Sequence, residues 1–295
     1  MVTNTNGNFF GFLNVDKPKG MTSHDVVSQC RKIFGLKQIG HAGTLDPFAT
    51  GVLPIAIGKA TKLIEYLSDD KQYLATIKFG ANTDTYDVEG SIIETFSKKI
   101  TQAEVEAVLD NFIGEISQMP PIYSAIKVKG KKLYEYARSG ESVKITPRNV
   151  TIFEIMLKAF DYEKQQAQIL VSCSKGTYIR SLAYDIGQML NCGGYLAQLQ
   201  RLRAGKFKIK DSVSLDMNKN LCEYADKIIN PMEVLDNPVC VLNENEKEKI
   251  IHGISIQNKG FRNSDIVFLV YGDRIHGIGV VMHDKILVKK VFEVL

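Results

Sequence analysis

No run of ~18 apolar residues occurs in this 295-residue chain, so no membrane-spanning helix is expected. The five cysteines (Cys30, Cys173, Cys192, Cys222 and Cys240) are odd in number and widely scattered. No C-x-x-C and no Cys/His cluster accompanies them, which argues against a disulfide framework and against structural zinc. Reduced thiols in a cytoplasmic protein fit better. A P-loop is absent, as is a Gly-x-Gly-x-x-Gly at a strand–helix junction. These absences are consistent with a protein that uses neither a cofactor nor a metal. There is no internal repeat and no low-complexity tract. The first eight residues are polar and uncharged, unlike a secretory leader.

Charge of one sign is also scarce in sum, at +4 net. Its distribution says more. Residues 124–150 carry seven Lys/Arg against two acids, and 199–210 carry five bases and no acid. Residues 211–250 reverse this, with nine acids against four bases. Two basic segments split by an acidic one suggest a one-sided footprint for a polyanion, although either run alone also suits a solvated face.

What is present is concentrated between Gly40 and Gly51, reading G-H-A-G-T-L-D-P-F-A-T-G. One carboxylate, one imidazole, a proline and three glycines share twelve residues. Gly43 and Gly51 can take backbone angles closed to other residues, and Pro47 fixes the chain just after Asp46. Such a loop would hold Asp46 at a set angle, as chemistry requires. Read alone, Asp46 is as well explained as the cap of an Asp-Pro turn.

Around it the pattern is mixed. Phe10–Val15 reads as a strand, and Thr22 or Ser23 can cap the helix that follows. Val52–Ile57 and Tyr73–Phe79 read as strands, Thr61–Leu67 as a short helix, and Ser91–Phe96 as a strand paired nearby. Thr101 and Glu104 form a capping box for a helix ending near Phe112. Gln118–Arg138 is an excursion, closed by a helix from Leu133. Val150–Phe160 and Gln166–Cys173 should be antiparallel neighbours. Thr177 opens a helix whose apolar stripe is Ile179, Leu182, Ala183, Ile186 and Leu190; periodicity puts Arg180 beside that stripe, where exposure is the plain reading. Leu196–Leu202 and Lys206–Lys210 return to strand. Residues 211–237 form a connector. From Pro238 four short β runs with Gly or Asp turns suggest a small barrel, and Asn243–Lys249 is linker or helix. Length suits about two domains, placed at 1–237 and 238–295.

The loop sequence G-H-A-G-T-L-D-P-F-A-T-G-V-L-P resembles the catalytic loop of the TruB family of tRNA pseudouridine synthases. Gly11–Met21 is similar to the family's opening strand and Lys-Pro turn. Lys71-Gln72-Tyr73 with Thr83–Asp87 resembles its second block, and Lys175–Leu182 its third. The four blocks stand in the family's order over roughly residues 9–210.

The resemblance implies an α+β fold: a mixed, mainly antiparallel sheet flanked by helices (the pseudouridine synthase fold), with a small C-terminal β-barrel resembling the PUA RNA-binding domain. It implies a stand-alone enzyme, likened to those that convert uridine 55 in the T loop of tRNA to pseudouridine by base flipping. A guide-RNA-dependent relative and a non-catalytic RNA-binding or RNA-folding protein are the rivals. Asp46 matches the catalytic Asp, and a carboxylate can act as a nucleophile. Whether it attacks C1′ or C6, or works through a glycal, is left open. Arg180 matches the arginine that pairs with it, and an adjacent guanidinium keeps a buried carboxylate ionised. Tyr73, read alone a plain strand aromatic, matches a tyrosine that can stack on the uracil and relay a proton. Tyr178 and Leu199 match further pocket residues. Lys17 matches the lysine of the Lys-Pro turn that supports the site. His41 matches a residue that takes a place in the RNA stack; a general base or a buried structural histidine are the other readings. Lys129, Lys131, Lys132, Arg201 and Arg203 complete the expected RNA contacts. The partner is the T arm of tRNA, met by a monomer.

Overall fold

The computed structural model describes residues 9–292 apart from 125 and 220. The polar segment 1–8 lies outside the described residues, as does the end of the second expected domain at 293–295.

Seven strands form the spine of the larger sheet: β1 (Gly11–Lys17), β2 (Thr50–Ile57), β3 (Lys71–Phe79), β4 (Gly114–Gln118), β5 (Arg148–Asp161), β6 (Gln166–Cys173) and β7 (Gly194–Ala204). Their spatial order is β1-β2-β7-β3-β6-β5-β4. Two short strands join it, Ile39–His41 on β2 and Phe207–Lys208 on β7. Every pairing is antiparallel except one: β7 runs parallel to β2 through Gln200–Thr50 and Arg201–Gly51. That single parallel pairing brings the end of the Gly40–Gly51 segment against β7. Three helices matter to the site: α1 (Ser23–Phe34), α2 (Gln102–Leu109) and α3 (Ile179–Met189).

Local chemistry explains the boundaries. Thr22 caps α1 by accepting from the Asp25 amide, and Gly35 ends it at φ 63° in the left-handed region. Thr101 and Glu104 form the expected capping box on α2, which passes into a 3-10 turn over Asp110–Phe112. β3 alternates buried and half-exposed side chains, as a strand with one covered face should. The helix read at Thr61–Leu67 is a 3-10 helix over Gly58–Tyr66. The helix assigned from Thr177 starts at Ile179, because Thr177 and Tyr178 spend their polar groups on Ser174 and Gln118. Lys206–Lys210 is strand only at Phe207–Lys208, followed by a 3-10 turn.

β2 is buried almost throughout, because both of its faces are covered. Leu53, Ile55 and Ile57 pack with Val26, Val27 and Cys30 of α1. Val52 and Ala56 face the other way, into a cluster with Phe12, Leu63, Phe268, Val270, Ile275 and Phe292. Phe268, Val270 and Ile275 belong to the C-terminal sheet, made of β8 (Val239–Val241), β9 (Ile256–Gln257), β10 (Ile266–Tyr271), β11 (Arg274–Met282) and β12 (Lys285–Val291), and Phe292 follows its last strand. Its order is β8-β10-β11-β12-β9, and no pairing of the edge strands β8 and β9 occurs among the described residues. The expected barrel is thus an open five-stranded sheet. Its first strand, only three residues long, carries too little pattern to stand out in the sequence. Asn243 caps a helix, α4 (Glu244–Ile251), so the charged stretch is helix rather than linker.

Each part has buried clusters of its own, and the two share one more. Phe12 and Val52 are fully buried, and C-terminal side chains cover them. Lys290 pairs with Glu65, and the ring of Tyr66 meets that of Phe268 at 5.8 Å. Phe268→Ala, far from Asp46 in sequence, should therefore cost about 3–5 kcal/mol of global stability, the usual range for emptying a buried phenylalanine site. Urea unfolding of the full chain measures this. Removing residues 238–295 should lower the melting temperature of what remains, and an unchanged melting temperature would show that the cluster is dispensable.

Candidate active site

The loop 42–49 leaves Ile39–His41 and returns into β2 with Asp46 near its apex. It is pinned from several sides. Ser23 of α1 both receives the Leu45 amide (2.8 Å) and donates to the Leu45 carbonyl (3.2 Å). The Ala42 amide reaches the Pro54 carbonyl, and the Gly20 amide reaches that of Pro47. Gly43 and Gly51 sit at φ 105° and 100°, and a side chain at Gly51 would strike the Arg201 backbone. The rigid loop expected from the glycine spacing is present.

Lys17 is fully buried, not a solvated turn lysine. Its ammonium donates to the carbonyls of Pro18 (2.9 Å), Met21 (2.6 Å) and Pro47 (3.2 Å). All three donors are thereby used. Burial pushes it down to about 8, with nearby Asp46 opposing that shift.

Arg180 is the centre of the site. Periodicity alone favours solvent, but the guanidinium is buried because two loops fold over the first turn of α3. It grips Asp46 with both arms, Nε to Oδ2 at 3.0 Å and a terminal nitrogen to Oδ1 at 3.2 Å. Its remaining donors go to Asp87 (3.4 Å) and to the carbonyls of Thr85 (3.3 Å) and Tyr123 (3.0 Å). Asp87 is nearly inaccessible, whereas 33% of the Asp46 side chain stays open. Burial pushes the Asp46 carboxyl up, Arg180 draws it back down, and Asp87 adds to the rise. The result is an anchored carboxylate with one open approach.

Asp87 and the Tyr123 carbonyl are additions to the expected site residues. The signal for Asp87 is present in T-D-T-Y-D, where its carboxylate accepts from the Thr85 hydroxyl at 2.7 Å and from the Glu89 amide at 2.9 Å. Tyr123 acts through its backbone, which no side-chain pattern reveals. Its segment is held to α3 by Gln118–Tyr178 bonds and by Ser181 donating to Met119.

Tyr73 and Leu199 lie in one apolar cluster with Leu45 and Phe48, the residues flanking Asp46. Tyr178 is half-exposed just before α3. His41 is half-buried, its Nδ1 without a partner, and burial followed by the Arg201 charge lowers its pKa, so it is neutral at pH 7.

The basic residues divide. Lys129 is exposed in the turn between two short strands, Lys127–Val128 and Lys131–Lys132. Lys131 lies over Tyr136 and pairs with Glu141, while Lys132 lies over Tyr134. The 199–210 run is not the open basic face its composition suggests. Arg201 is buried, Arg203 pairs with Asp70, and Lys206 pairs with Asp236. Strand alternation and loop packing turn these three cations inward or onto carboxylates, while Lys208 and Lys210 stay exposed.

The family model described as TruB family pseudouridylate synthase (N terminal domain) matches residues 31–179, and that of the tRNA pseudouridylate synthase B C-terminal domain matches 180–235. The chain belongs to the TruB family. Among similar proteins, the tRNA pseudouridine synthase B of Caldanaerobacter subterraneus subsp. tengcongensis is 45% identical, with 96% of this chain and 99% of the other covered. That of Clostridium kluyveri is 41% identical over 92% and 95%. Of solved structures, a chain of a Cbf5-Nop10-Gar1 complex superposes at TM-score 0.71 with 27% identity, covering 96% of this chain and 85% of that one. The fold is the pseudouridine synthase fold. In this TruB-family chain, Asp46, Tyr73 and Arg180 all stand within one site.

Asp46→Asn should leave folding intact and cut turnover below about 1% of wild type, since it removes the charge and keeps the shape. Single-turnover rates and circular dichroism test this. With Asp46 acting as an ionised nucleophile, and burial raising its pKa above the ordinary 3.8, the wild-type rate is expected to fall as pH drops through a value above 3.8. A pH–rate profile reads that limb directly. Arg180→Lys keeps the charge but not the fork, and should lose roughly a hundredfold or more in rate.

Proposed function

We propose that this chain is a stand-alone tRNA pseudouridine synthase that isomerises uridine 55 in the T loop. The observation carrying this reading is the Arg180 clamp on a part-open Asp46, beside an apolar wall of Tyr73 and Leu199. The reaction breaks the bond from N1 to C1′ and forms one from C5 to C1′, while a proton leaves C5 and one arrives at N1. No oxidant or energy source enters. The target base must leave its stack to reach a carboxylate held this deeply. Asp46 then serves as the nucleophile, with Arg180 holding its lone pairs in place and its charge intact. Tyr73 stacks on the uracil and presents its hydroxyl for proton transfer. His41, neutral and partly open, takes the place that the flipped uridine leaves.

The hairpin carrying Lys129, Lys131 and Lys132 grips the RNA backbone. The C-terminal sheet, a trimmed PUA-like module, meets the acceptor-stem side, and the enzyme works as a cytoplasmic monomer. Relatives named tRNA pseudouridine synthase B at 41–48% identity favour the stand-alone type over a guide-dependent one, since the H/ACA ribonucleoprotein chain is 25% identical. The intact Asp46, Tyr73 and Arg180 set disfavours a non-catalytic scaffold.

Purified protein, incubated with unmodified tRNA transcript and no other component, should produce pseudouridine at position 55 alone, mapped chemically. No product without partner proteins or a guide would sink the reading. Charge reversal at Lys129, Lys131 and Lys132 should weaken tRNA binding and lower the salt slope by about 0.9 for each phosphate that the protein no longer neutralises. Saturating RNA should restore the rate.

A further inference from the structure

Arg201 has no place in the function above, and its surroundings are unusual. It is among the largest fully buried side chains, and no carboxylate pairs with it among the described residues. Three backbone carbonyls solvate it instead: Val52 (2.6 Å) takes Nε, while Gly43 (3.1 Å) and Thr44 (3.5 Å) take the two arms. All three belong to the loop around Asp46 or its exit. Arg201 also stands directly opposite Tyr73 in the antiparallel register, so the two side chains leave neighbouring strands on the same face, and its charge acts on the Tyr73 phenol.

A guanidinium has donors and no acceptor. It can occupy a lone pair of the phenol but cannot receive the phenol's proton. A phenol that accepts from Arg201 turns its O–H away from that cation. Resting on the synthase reading, we propose that Arg201 is a positioning residue, a buried cation that sets the direction and acidity of the Tyr73 hydroxyl while fixing the loop that carries Asp46. It is not an RNA-contacting residue. The other titratable groups around the phenol, Asp46 and Cys173, act in the opposite sense and hold its proton on. Burial does so too, and Arg201 is the cation that counters them. Lys17, His41 and Lys71 each feel the same buried charge, which makes their own protonation harder.

The test needs a signal other than turnover. With 3-fluorotyrosine at position 73, fluorine NMR follows the ionisation of that one phenol in the full-length protein. Arg201→Gln should raise its midpoint by at least about one pH unit. In the unlabelled protein the same change should lower the single-turnover rate at saturating tRNA at least a hundredfold. Affinity should stay within threefold and the salt slope should be unchanged. Arg201→Lys, which keeps the charge, should hold the midpoint near wild type and serves if the Gln variant does not fold. An unchanged midpoint in Arg201→Gln overturns the proposal. So does a salt slope lowered by about one, which marks a phosphate-binding cation. If wild-type protein makes no pseudouridine, the synthase reading fails, while the fluorine titration still reports whether Arg201 governs Tyr73.

Discussion

One guanidinium shared between two carboxylates organises this molecule's site. Arg180 spans Asp46, held at two points, and Asp87, held at one, and the two acids differ further in what lies beyond them. Asp87 is closed in by its own loop; Asp46 faces an opening. A buried arginine with a single acid partner would balance one charge and leave donors unused. With two acids and two carbonyls it uses its whole donor set, so neither loop can shift without stranding a polar group. Segments from four distant parts of the chain, at 46, 85–87, 123 and 180, are tied by this one side chain.

The neighbouring cations follow a different rule. Lys17 and Arg201 are both buried, and backbone carbonyls rather than acids solvate them. The carbonyls of Gly43, Thr44, Pro47 and Val52 come from the loop that bears Asp46 and its exit, and those of Pro18 and Met21 from the turn after Lys17. The loop therefore wraps two fixed positive charges, much as it would wrap metal ions. Its backbone direction is set electrostatically, and its glycines permit the turns that let carbonyls point inward.

Much of this is legible in the sequence, for reasons that can be stated. The loop at Asp46 is visible because glycine and proline constrain backbone angles locally. The capping box at Thr101 and the alternation of β3 are likewise local signals. Arg180 is misplaced by periodicity, which registers a helix's apolar stripe but not loops that fold over its first turn. The basic run at 199–210 misleads for a related reason. Composition counts charges, whereas Arg203 and Lys206 are answered by Asp70 and Asp236, which are remote from them in the chain. The Tyr123 carbonyl leaves no trace, since any residue carries one. The shared core is hidden too, because an unbroken apolar strand does not say what covers each side.

That shared core limits how the protein can be taken apart and reassembled. β2 carries the exit of the Asp46 loop at Gly51, and its next residue, Val52, shares a buried cluster with Phe268 and Phe292 of the C-terminal part. Chimeras that exchange C-terminal sheets between relatives would have to carry Phe12, Val52, Ala56 and Leu63 as a matched set. The junction near residue 238 is a seam in the chain but not in the packing, and the two halves must co-vary across it.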